Sequence, residues 1–297
     1  MSIPKRALII YDADPDGIAA GVVVGQHIEK DMGIPVSYER GIRYSPPPYD
    51  KIDKSTGVII VDFSYDFAEL SNICAVAHHV TLIDHHQSAK DTLRPQEIDS
   101  CPNLDVTINT SKAACVLAWE YCHEAPVPEI LYYIQDQDLW TWRLPNSRII
   151  NATLGSYPMM PAVWEKVLKM PLQKLLEEGT AIDRYQEKLL GILINSAVLM
   201  EIGGHKVKAV NCADPSVVSE LGNRLAQNAP FGATFYLQPS GLYKFSIRSV
   251  TGEENPIGVE VHEIAKLYGG GGHPNASGFK VSSLFPFEVI PEMEANR

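Results

Sequence analysis

The chain has 297 residues, of which 45% are hydrophobic and 21% are charged, and a net charge of −11. These fractions exclude collagen-like, coiled-coil and disordered chains, and the length predicts about two domains. The acidic balance argues against tight binding to long duplex DNA, which needs a basic face, but not against short nucleotides held through metal ions. The five cysteines form no C-x-x-C pair, which argues against a disulfide framework or a thiolate zinc site.

No apolar run reaches the roughly 18 residues needed to span a bilayer. The run Ala7–Ile10 near the start is also too short for the apolar core of a signal peptide. We therefore expect a cytoplasmic protein that makes no contact with a membrane.

The first part of the chain alternates short β-branched runs with helical segments. Strands are predicted at 7–10, 58–61 and 80–83, and helices at 17–31, 67–77, 111–121 and 129–135. Ser111 is the expected N-cap residue of the third helix. Strands that alternate with helices indicate an α/β fold with a parallel sheet.

A long amphipathic segment follows. Apolar residues fall near helical spacing from Leu172 to Leu199, which predicts a helix that breaks near Gly179 and ends at Gly203-Gly204. Beyond it, strands are predicted at 207–210, 234–237 and 244–249, with a helix at 219–226. We therefore predict a parallel-sheet α/β domain, a helical linker and a smaller α/β C-terminal domain, at 1–171, 172–202 and 203–297.

Each of the first three predicted strands runs directly into acidic residues. They are followed in turn by Asp12, Asp14 and Asp16, by Asp62, and by Asp84-His85-His86. The carboxyl ends of parallel strands share one edge of a sheet, where ligands bind. Carboxylates gathered there repel one another and need a cation. Oxygen ligands with some imidazole suit Mn²⁺ or Mg²⁺, and two such ions could activate water against a phosphate ester.

Other readings of the first acidic motif fail. Asp12 to Gly17 is similar to the start of an EF-hand loop, but the twelfth position is Val23 instead of glutamate, and a strand precedes it. The dinucleotide motif G-x-G-x-x-G and the phosphate-binding P-loop are both absent after the first strand. The sequence therefore does not favour a function as a cofactor-dependent oxidoreductase or as a nucleoside triphosphatase.

The tripeptide Asp84-His85-His86 and four further motifs resemble those of the DHH phosphoesterase family, over nearly the whole chain. The further motifs are Asp12-Ala13-Asp14-Pro15-Asp16-Gly17, Val61-Asp62-Phe63, the acids of Asp136-Gln137-Asp138, and the run from Gly270 to Gly278. The resemblance implies a two-domain hydrolase of the oligoribonuclease (nanoRNase) type, with a metal-binding catalytic domain and an active site in the cleft between the domains.

The resemblance also implies a set of metal ligands, namely Asp14, Asp16, Asp62, Asp84, His85 and Asp136. Asp62 is expected to bridge two Mn²⁺ ions, with Mg²⁺ as the alternative metal. His85 and His86 are the expected catalytic residues, with His86 near the attacked phosphate. Asp138 competes with Asp136 for the last ligand position. Ile10 stands where some family members have a histidine, which leaves the role of Asp12 open.

The glycines near the C-terminus predict a substrate-binding loop. Consecutive glycines let backbone N–H groups turn towards an anion and form a phosphate nest. The resemblance implies that this loop binds substrate through Gly270, Gly271, Gly272 and His273. Arg248, at the end of a predicted strand, is a second candidate for phosphate contact.

Two classes of function remain. The first is a Mn²⁺-dependent phosphohydrolase, foremost a phosphodiesterase acting on short oligonucleotides or small nucleotides, with a polyphosphatase or pyrophosphatase as the alternative. The second is a catalytically silent nucleotide-binding regulator, which the complete set of costly neighbouring carboxylates argues against. The residues do not rank short RNA, dinucleotides, 3′-phosphoadenosine phosphate and polyphosphate. The long helix is expected to serve as a scaffold and as the surface of a homodimer.

Overall fold

The chain folds into two units, Met1–Ile182 and Asp183–Arg297, each with its own sheet. The computed structural model describes residues 3–41, 45–253, 255–284 and 289–290. Within these ranges, every helix is too short or too polar to cross a bilayer.

The first unit alternates strands with helices. Its strands are β1 (Arg6–Tyr11), β2 (Val36–Arg40), β3 (Thr56–Val61), β4 (His79–Asp84) and β5 (Leu104–Ile108). Its helices are α1 (Pro15–Asp31), α2 (Phe67–Val76), α3 (Gln87–Thr92), α4 (Pro95–Asp99), α5 (Ala114–Cys122), α6 (Glu129–Asp138), α7 (Ser147–Ser156) and α8 (Pro161–Val167), with a 3-10 turn at Tyr49–Lys51. The predicted α/β class is confirmed, and β2 and β5 are strands that the sequence did not predict.

The five strands of this unit are all parallel and lie in the order β2-β1-β3-β4-β5. Alternate residues of β1 enter different cores, with Ile9 packed in the layer of α1 and α5 and Leu8 and Ile10 in the layer of α2. The strand order reverses between β1 and β3. In a doubly wound sheet, a ligand crevice opens at the carboxyl ends of the strands at such a reversal.

The second unit is built on a mixed sheet. Helix α9 (Leu172–Asn195) crosses the boundary between the units, and is followed by α10 (Pro215–Ala226) and α11 (Val261–Leu267). The strands are β6 (Val198–Ile202), β7 (His205–Asn211), β8 (Gly232–Leu237), β9 (Tyr243–Arg248), β10 (Gly271–His273), β11 (Ala276–Val281) and β12 (Val289–Ile290). Their order is β10-β11-β9-β8-β7-β6-β12, antiparallel except for β7 with β8.

Helix α9 runs unbroken through Gly179, so the predicted break there is wrong. A Cβ atom at Gly179 would lie 2.1 Å from the carbonyl oxygen of Ile149 and 2.5 Å from Thr153 Oγ1, both on α7. The Thr153 hydroxyl in turn donates to the carbonyl of Leu175 on α9, at 2.6 Å. The glycine therefore marks a close crossing of α9 over α7 instead of a helix end.

The end of α9 also differs from the prediction, which continued the helix to Leu199. The helix ends at Asn195, and Val198–Ile202 forms strand β6. Gly203 and Gly204 both have positive φ, 59° and 79°, and they join β6 to β7 in a two-residue hairpin. Two-residue turns of this kind match the twist of paired strands. The turn therefore pairs the apolar residues after 197 with β7 in a sheet, in place of a continued helix.

The crossing predicts opposite effects for two glycines of the same helix. Gly179→Ala should lower the free energy of unfolding by about 1–3 kcal/mol, because the added methyl overpacks the contact with α7. Gly191→Ala, whose Cβ meets nothing within 4 Å, should raise it by up to about 1 kcal/mol through helix propensity. Urea unfolding of both variants measures this. Equal effects of the two substitutions would contradict the close crossing.

Candidate metal centre

Three aspartates line the turn between β1 and α1. Asp14 is the N-cap residue of α1, and its Oδ1 accepts a hydrogen bond from the N–H of Gly17 at 2.9 Å. Asp12 Oδ1 accepts from the N–H of Ala13 at 2.7 Å. Asp16 lies in the first helical turn and is only 1% exposed. The positive end of the helix dipole favours carboxylates at this position.

Asp16 fixes the start of a second helix. Its two oxygens accept hydrogen bonds from the N–H groups of Ala114 and Cys115, at 2.7 and 2.8 Å. The helix predicted from residue 111 begins at Ala114 as α5, so the expected cap by Ser111 is wrong. Asp16 takes the place of a local cap by satisfying two N–H groups that a helix start leaves unpaired. The first turns of α1 and α5 therefore lie side by side at the sheet edge.

Asp62 follows β3 with an unusual backbone. Its φ is 65°, in the left-handed region that residues other than glycine seldom adopt, and the residue is only 1% exposed. Gly17 makes room for it, since a Cβ there would lie 2.9 Å from Asp62 Oδ2 and 2.3 Å from the carbonyl oxygen of Asp12. Such local strain, which costs about 1–3 kcal/mol, is typical of functional sites.

Asp84 ends β4 and organises the two histidines that follow it. Its Oδ1 accepts from the N–H of His85 at 2.7 Å, from the N–H of His86 at 3.2 Å and from His86 Nδ1 at 2.7 Å. Burial raises the pKa of Asp84, but the hydrogen bonds and charge of His86 outweigh it, so that the pKa lies below the usual range. Asp84 is therefore an ionised anchor for the imidazole of His86.

His85 Nε2 lies among three carboxylates. It is 3.1 Å from Asp62 Oδ1, 3.5 Å from Asp138 Oδ2 and 3.7 Å from Asp16 Oδ2. In the described part of the chain, three overlapping groups at this edge have ligand atoms within 4.8 Å of one another: Asp12 with Asp14 and Asp62, Asp62 with His85 and His86, and Asp16 with His85 and Asp138. Acidic segments from β1, β3, β4 and α6 thus converge, as the strand ends predict.

Charge repulsion in this cluster is strong. Burial, followed by the charges of Asp14 and Asp16, raises the pKa of Asp62 well above its usual value. Burial and the neighbouring carboxylates likewise raise the pKa of Asp138 well above its usual value. Burial lowers the pKa of His85, which favours the neutral imidazole that binds metal ions. These shifts all disfavour the charged cluster unless a cation is present.

Three buried ligand atoms fit a divalent cation. Asp62 Oδ1, Asp84 Oδ2 and His85 Nε2 make no hydrogen bond with the described residues, because the 3.1 Å approach of His85 Nε2 to Asp62 Oδ1 lacks hydrogen-bond geometry. A buried polar atom without a partner costs about 1–3 kcal/mol, so natural proteins keep few of them. Carboxylate oxygens together with imidazole form a donor set that suits Mn²⁺ or Mg²⁺. The residues present therefore fit the predicted metal.

No family model matches the chain. Among curated proteins, the uncharacterized protein R106 of Acanthamoeba polyphaga mimivirus is 29% identical over 276 residues, covering 89% of this chain and 63% of that protein. The oligoribonuclease NrnB of Bacillus subtilis is 23% identical over 295 residues, covering 91% of this chain and 71% of NrnB. The chain thus spans somewhat less than two thirds of the viral relative.

Solved structures with the same fold include DHH domains. A DHH domain from a member of a family of ribosomal proteins aligns with a TM-score of 0.61 and 15% identity, over 95% of this chain and 84% of that one. RecJ from Thermus thermophilus, in complex with Mn²⁺, aligns with a TM-score of 0.54 and 19% identity, over 95% of this chain and 50% of RecJ. By fold, this chain is similar to DHH domains.

The two acids at the end of α6 have different surroundings. Asp136 Oδ1 accepts from Thr141 Oγ1 and from the N–H of Arg143, and its Oδ2 accepts from the N–H of Leu144 at 3.1 Å. Burial raises its pKa, but these hydrogen bonds bring it below the usual range. Asp136 thus secures the loop after α6, whereas Asp138 approaches His85. The structure places Asp138, and not the expected Asp136, in the cluster.

The predicted substrate residues of the second unit lie in one row of its sheet. His273 of β10 is paired with Ala276 of β11, which is paired with Arg248 of β9. Directly opposed residues of neighbouring strands share a face, so His273 and Arg248 flank the small Ala276 at about 10 Å from each other. Arg248 donates to Ser219 Oγ on α10 at 3.1 Å, and burial lowers its pKa.

The glycine run differs from the predicted open loop. Gly271 to His273 form the edge strand β10, in a hairpin with β11. A Cβ at Gly270 would lie 2.2 Å from the carbonyl oxygen of Gly278, and Gly272 has a φ of 145°. These glycines therefore allow close backbone packing in the hairpin, which the sequence pattern alone does not separate from phosphate binding.

The close approach at the first motif predicts a contrast between two glycines of α1. Gly17→Ala should lower the free energy of unfolding by about 1–3 kcal/mol and weaken metal binding, because its methyl would displace Asp12 and Asp62. Gly21→Ala is the control, since its Cβ makes ordinary contacts of 3.4 Å or more with Ile9 and Tyr11. Thermal unfolding with and without Mn²⁺ measures both effects. If Gly17→Ala behaved like the control, a Cβ at position 17 would not collide with Asp12 and Asp62, which would contradict the close approach.

Substitution of the two acids of α6 should have opposite effects on stability with and without metal. Mn²⁺ at 100 times its dissociation constant should stabilise the native protein by about 2.7 kcal/mol. Asp138→Asn should lose most of this gain without loss of metal-free stability, because it removes a ligand and a repelling charge. Asp136→Asn should keep the gain but lose about 1.5–3 kcal/mol of metal-free stability, since its charged hydrogen bonds are broken. The opposite pattern would return the ligand position to Asp136.

Proposed function

We propose that the chain is a phosphohydrolase dependent on divalent metal ions, and that it acts as a phosphodiesterase on short oligonucleotides or small nucleotides. The observation that carries the proposal is the set of buried ligand atoms without partners at the sheet edge, on Asp62, Asp84 and His85. The relative NrnB, an oligoribonuclease, supports the substrate class. RecJ, of the same fold and solved with Mn²⁺, supports manganese as the metal.

Two Mn²⁺ ions would be held by the convergent side chains Asp12, Asp14, Asp16, Asp62, Asp84, His85 and Asp138. Asp62 belongs to two of the three ligand groups, which supports a bridging role between the ions. Asp84 would contribute through Oδ2, because its Oδ1 is engaged by His86. Asp138 takes the position first expected for Asp136, whose oxygens are held by the loop after α6.

The bound ions would polarise the phosphate and lower the pKa of the attacking water. The side chain of His86 is oriented for a separate task. Because its Nδ1 is hydrogen-bonded to Asp84 at 2.7 Å, Nδ1 carries the proton of the neutral ring and Nε2 is the nitrogen that we expect to meet the substrate. His86 would accept a proton at Nε2 from the attacking water and then donate it to the leaving oxygen of the phosphate ester, as the carboxylate–histidine pair fixes both ring orientation and tautomer.

The substrate's other phosphate or nucleotide end would be held by residues of the second unit. His273 and Arg248 lie in one row of the sheet and can both donate hydrogen bonds to an anion. Gly270, Gly271 and Gly272 bring the backbone of β10 beside them. The placement of the active site between the two predicted domains, with α9 as a spacer, stays a prediction.

A substrate panel tests the reaction. Purified protein with Mn²⁺ should hydrolyse dinucleotides and short RNA, lose this activity in excess EDTA and regain it when Mn²⁺ is restored. Full activity in EDTA would contradict a metal-dependent reaction. Cleavage of polyphosphate but of no nucleotide substrate would indicate that the protein is a polyphosphatase. Binding of nucleotides with no hydrolysis at all, by protein that holds its metal, would indicate a silent regulator.

The bridging role predicts a large effect of Asp62→Asn. This variant should lower kcat/KM by at least about 100-fold, because it removes a shared ligand and weakens both metal positions. Asp105→Asn is the matched control, as Asp105 also lies at a strand of the same sheet but is exposed and paired with His79. The control should retain wild-type activity. Comparable activity of both variants would remove Asp62 from the proposed centre.

A further inference from the structure

The far ends of helices α1 and α5 form a second cluster of ligand-type side chains. The two helices start together, since Asp16 in the first turn of α1 accepts from the N–H of Ala114, the first residue of α5. At a rise of 1.5 Å per residue, His27 lies about 16 Å further along α1. Helix α5 ends at Cys122, and its C-cap residue is His123. His27 and the end of α5 therefore both lie well away from the acidic cluster, and α1 continues one turn beyond His27 to Asp31.

Three side chains meet at this end. His27 and Asp31 are one helical turn apart on α1, with Nδ1 of the histidine 2.8 Å from Oδ2 of the aspartate. The ring of His123 approaches that of His27, with the ring centroids 5.4 Å apart. One ligand atom from each of the three residues lies within 4.8 Å of the other two. Two helices thus bring two imidazoles and a carboxylate to one point.

The chemistry of the cluster differs from that of the acidic centre. Two imidazoles with one carboxylate form a donor set that suits Zn²⁺, whose sites with an open position use three protein ligands and a water. A cation is also favoured at the carboxyl ends of helices, where the dipole is negative. A cavity of about 390 Å³ adjoins the three residues, and its walls include the apolar Ile130 and Leu131 as well as Lys30 and Lys169. It leaves room for the fourth ligand.

We propose that His27, Asp31 and His123 form a second metal site, for a transition-metal ion of the zinc type. The ring of Trp119 packs on that of His123, with the centroids 4.3 Å apart, and holds the imidazole near α1. The site would tie the end of α1 to the end of α5. The proposal does not depend on the proposed hydrolysis, because none of its residues belongs to the acidic cluster.

A second histidine–aspartate pair shows what the cluster adds. His79 Nε2 lies 3.0 Å from Asp105 Oδ2, with side chains 29% and 63% exposed, close to the 29% and 58% of His27 and Asp31. The two pairs are therefore alike in distance and exposure. They differ in the imidazole of His123, which completes a three-ligand group with His27 and Asp31. His79→Gln is accordingly a matched control for His27→Gln.

The test measures Zn²⁺ binding by calorimetry to the full chain, stripped of metal and carrying Asp62→Asn and Asp138→Asn to weaken the acidic centre. Into this background we introduce His27→Gln, His123→Gln or His79→Gln. The background and the His79→Gln protein should bind one equivalent of Zn²⁺, and His27→Gln and His123→Gln should bind it at least about 100-fold more weakly. Circular dichroism of the metal-free variants checks folding.

The outcomes separate the proposal from an ordinary ion pair. Equal Zn²⁺ affinity in all four proteins, or no binding in the background, would overturn it. If His123→Gln fails to fold, His27→Gln decides the question, because the His27 side chain is partly exposed and lies one turn before the end of α1. As a second measurement, the otherwise native chain should bind one Zn²⁺ more than its His27→Gln variant.

Discussion

Repulsion between the carboxylates at the edge of the first sheet is the main constraint on the structure of the candidate site. The fold relieves most of it with hydrogen bonds, as Asp16 is held by the first N–H groups of α5 and Asp84 by His86. Asp62 and Asp138 accept fewer hydrogen bonds, and their pKa values are raised well above the usual range. The backbone of Asp12 and the carboxylate of Asp62 also leave no room for a Cβ at position 17, so glycine is needed there.

The same interactions organise the helices of the first unit. Because Asp16 is bound to the start of α5, α1 and α5 run side by side from the acidic cluster. Their positive ends face the carboxylates. Further along, His27 of α1 meets His123 at the end of α5. The same pair of helices thus carries residues of both clusters.

Much of the site could be predicted from the sequence, because parallel strands that end in aspartate must place those residues at one edge. The ligand at the end of α6 could not, since residues two apart on a helix point about 200° apart and only packing decides which faces the cluster. The start of α5 was mispredicted because its cap is Asp16, far away in the chain. The sequence pattern predicts helix at strand β6, because the apolar residues of this strand continue the spacing of α9.

The central claim is that the acidic edge exists to hold two divalent ions that share Asp62. Anomalous diffraction at the manganese absorption edge, from crystals of the full chain grown with Mn²⁺, tests it most directly. We expect two peaks on either side of the Asp62 carboxylate, with His85 and Asp138 at one of them. A cluster without peaks, or manganese bound to Asp136 with Asp62 uncoordinated, would contradict the account.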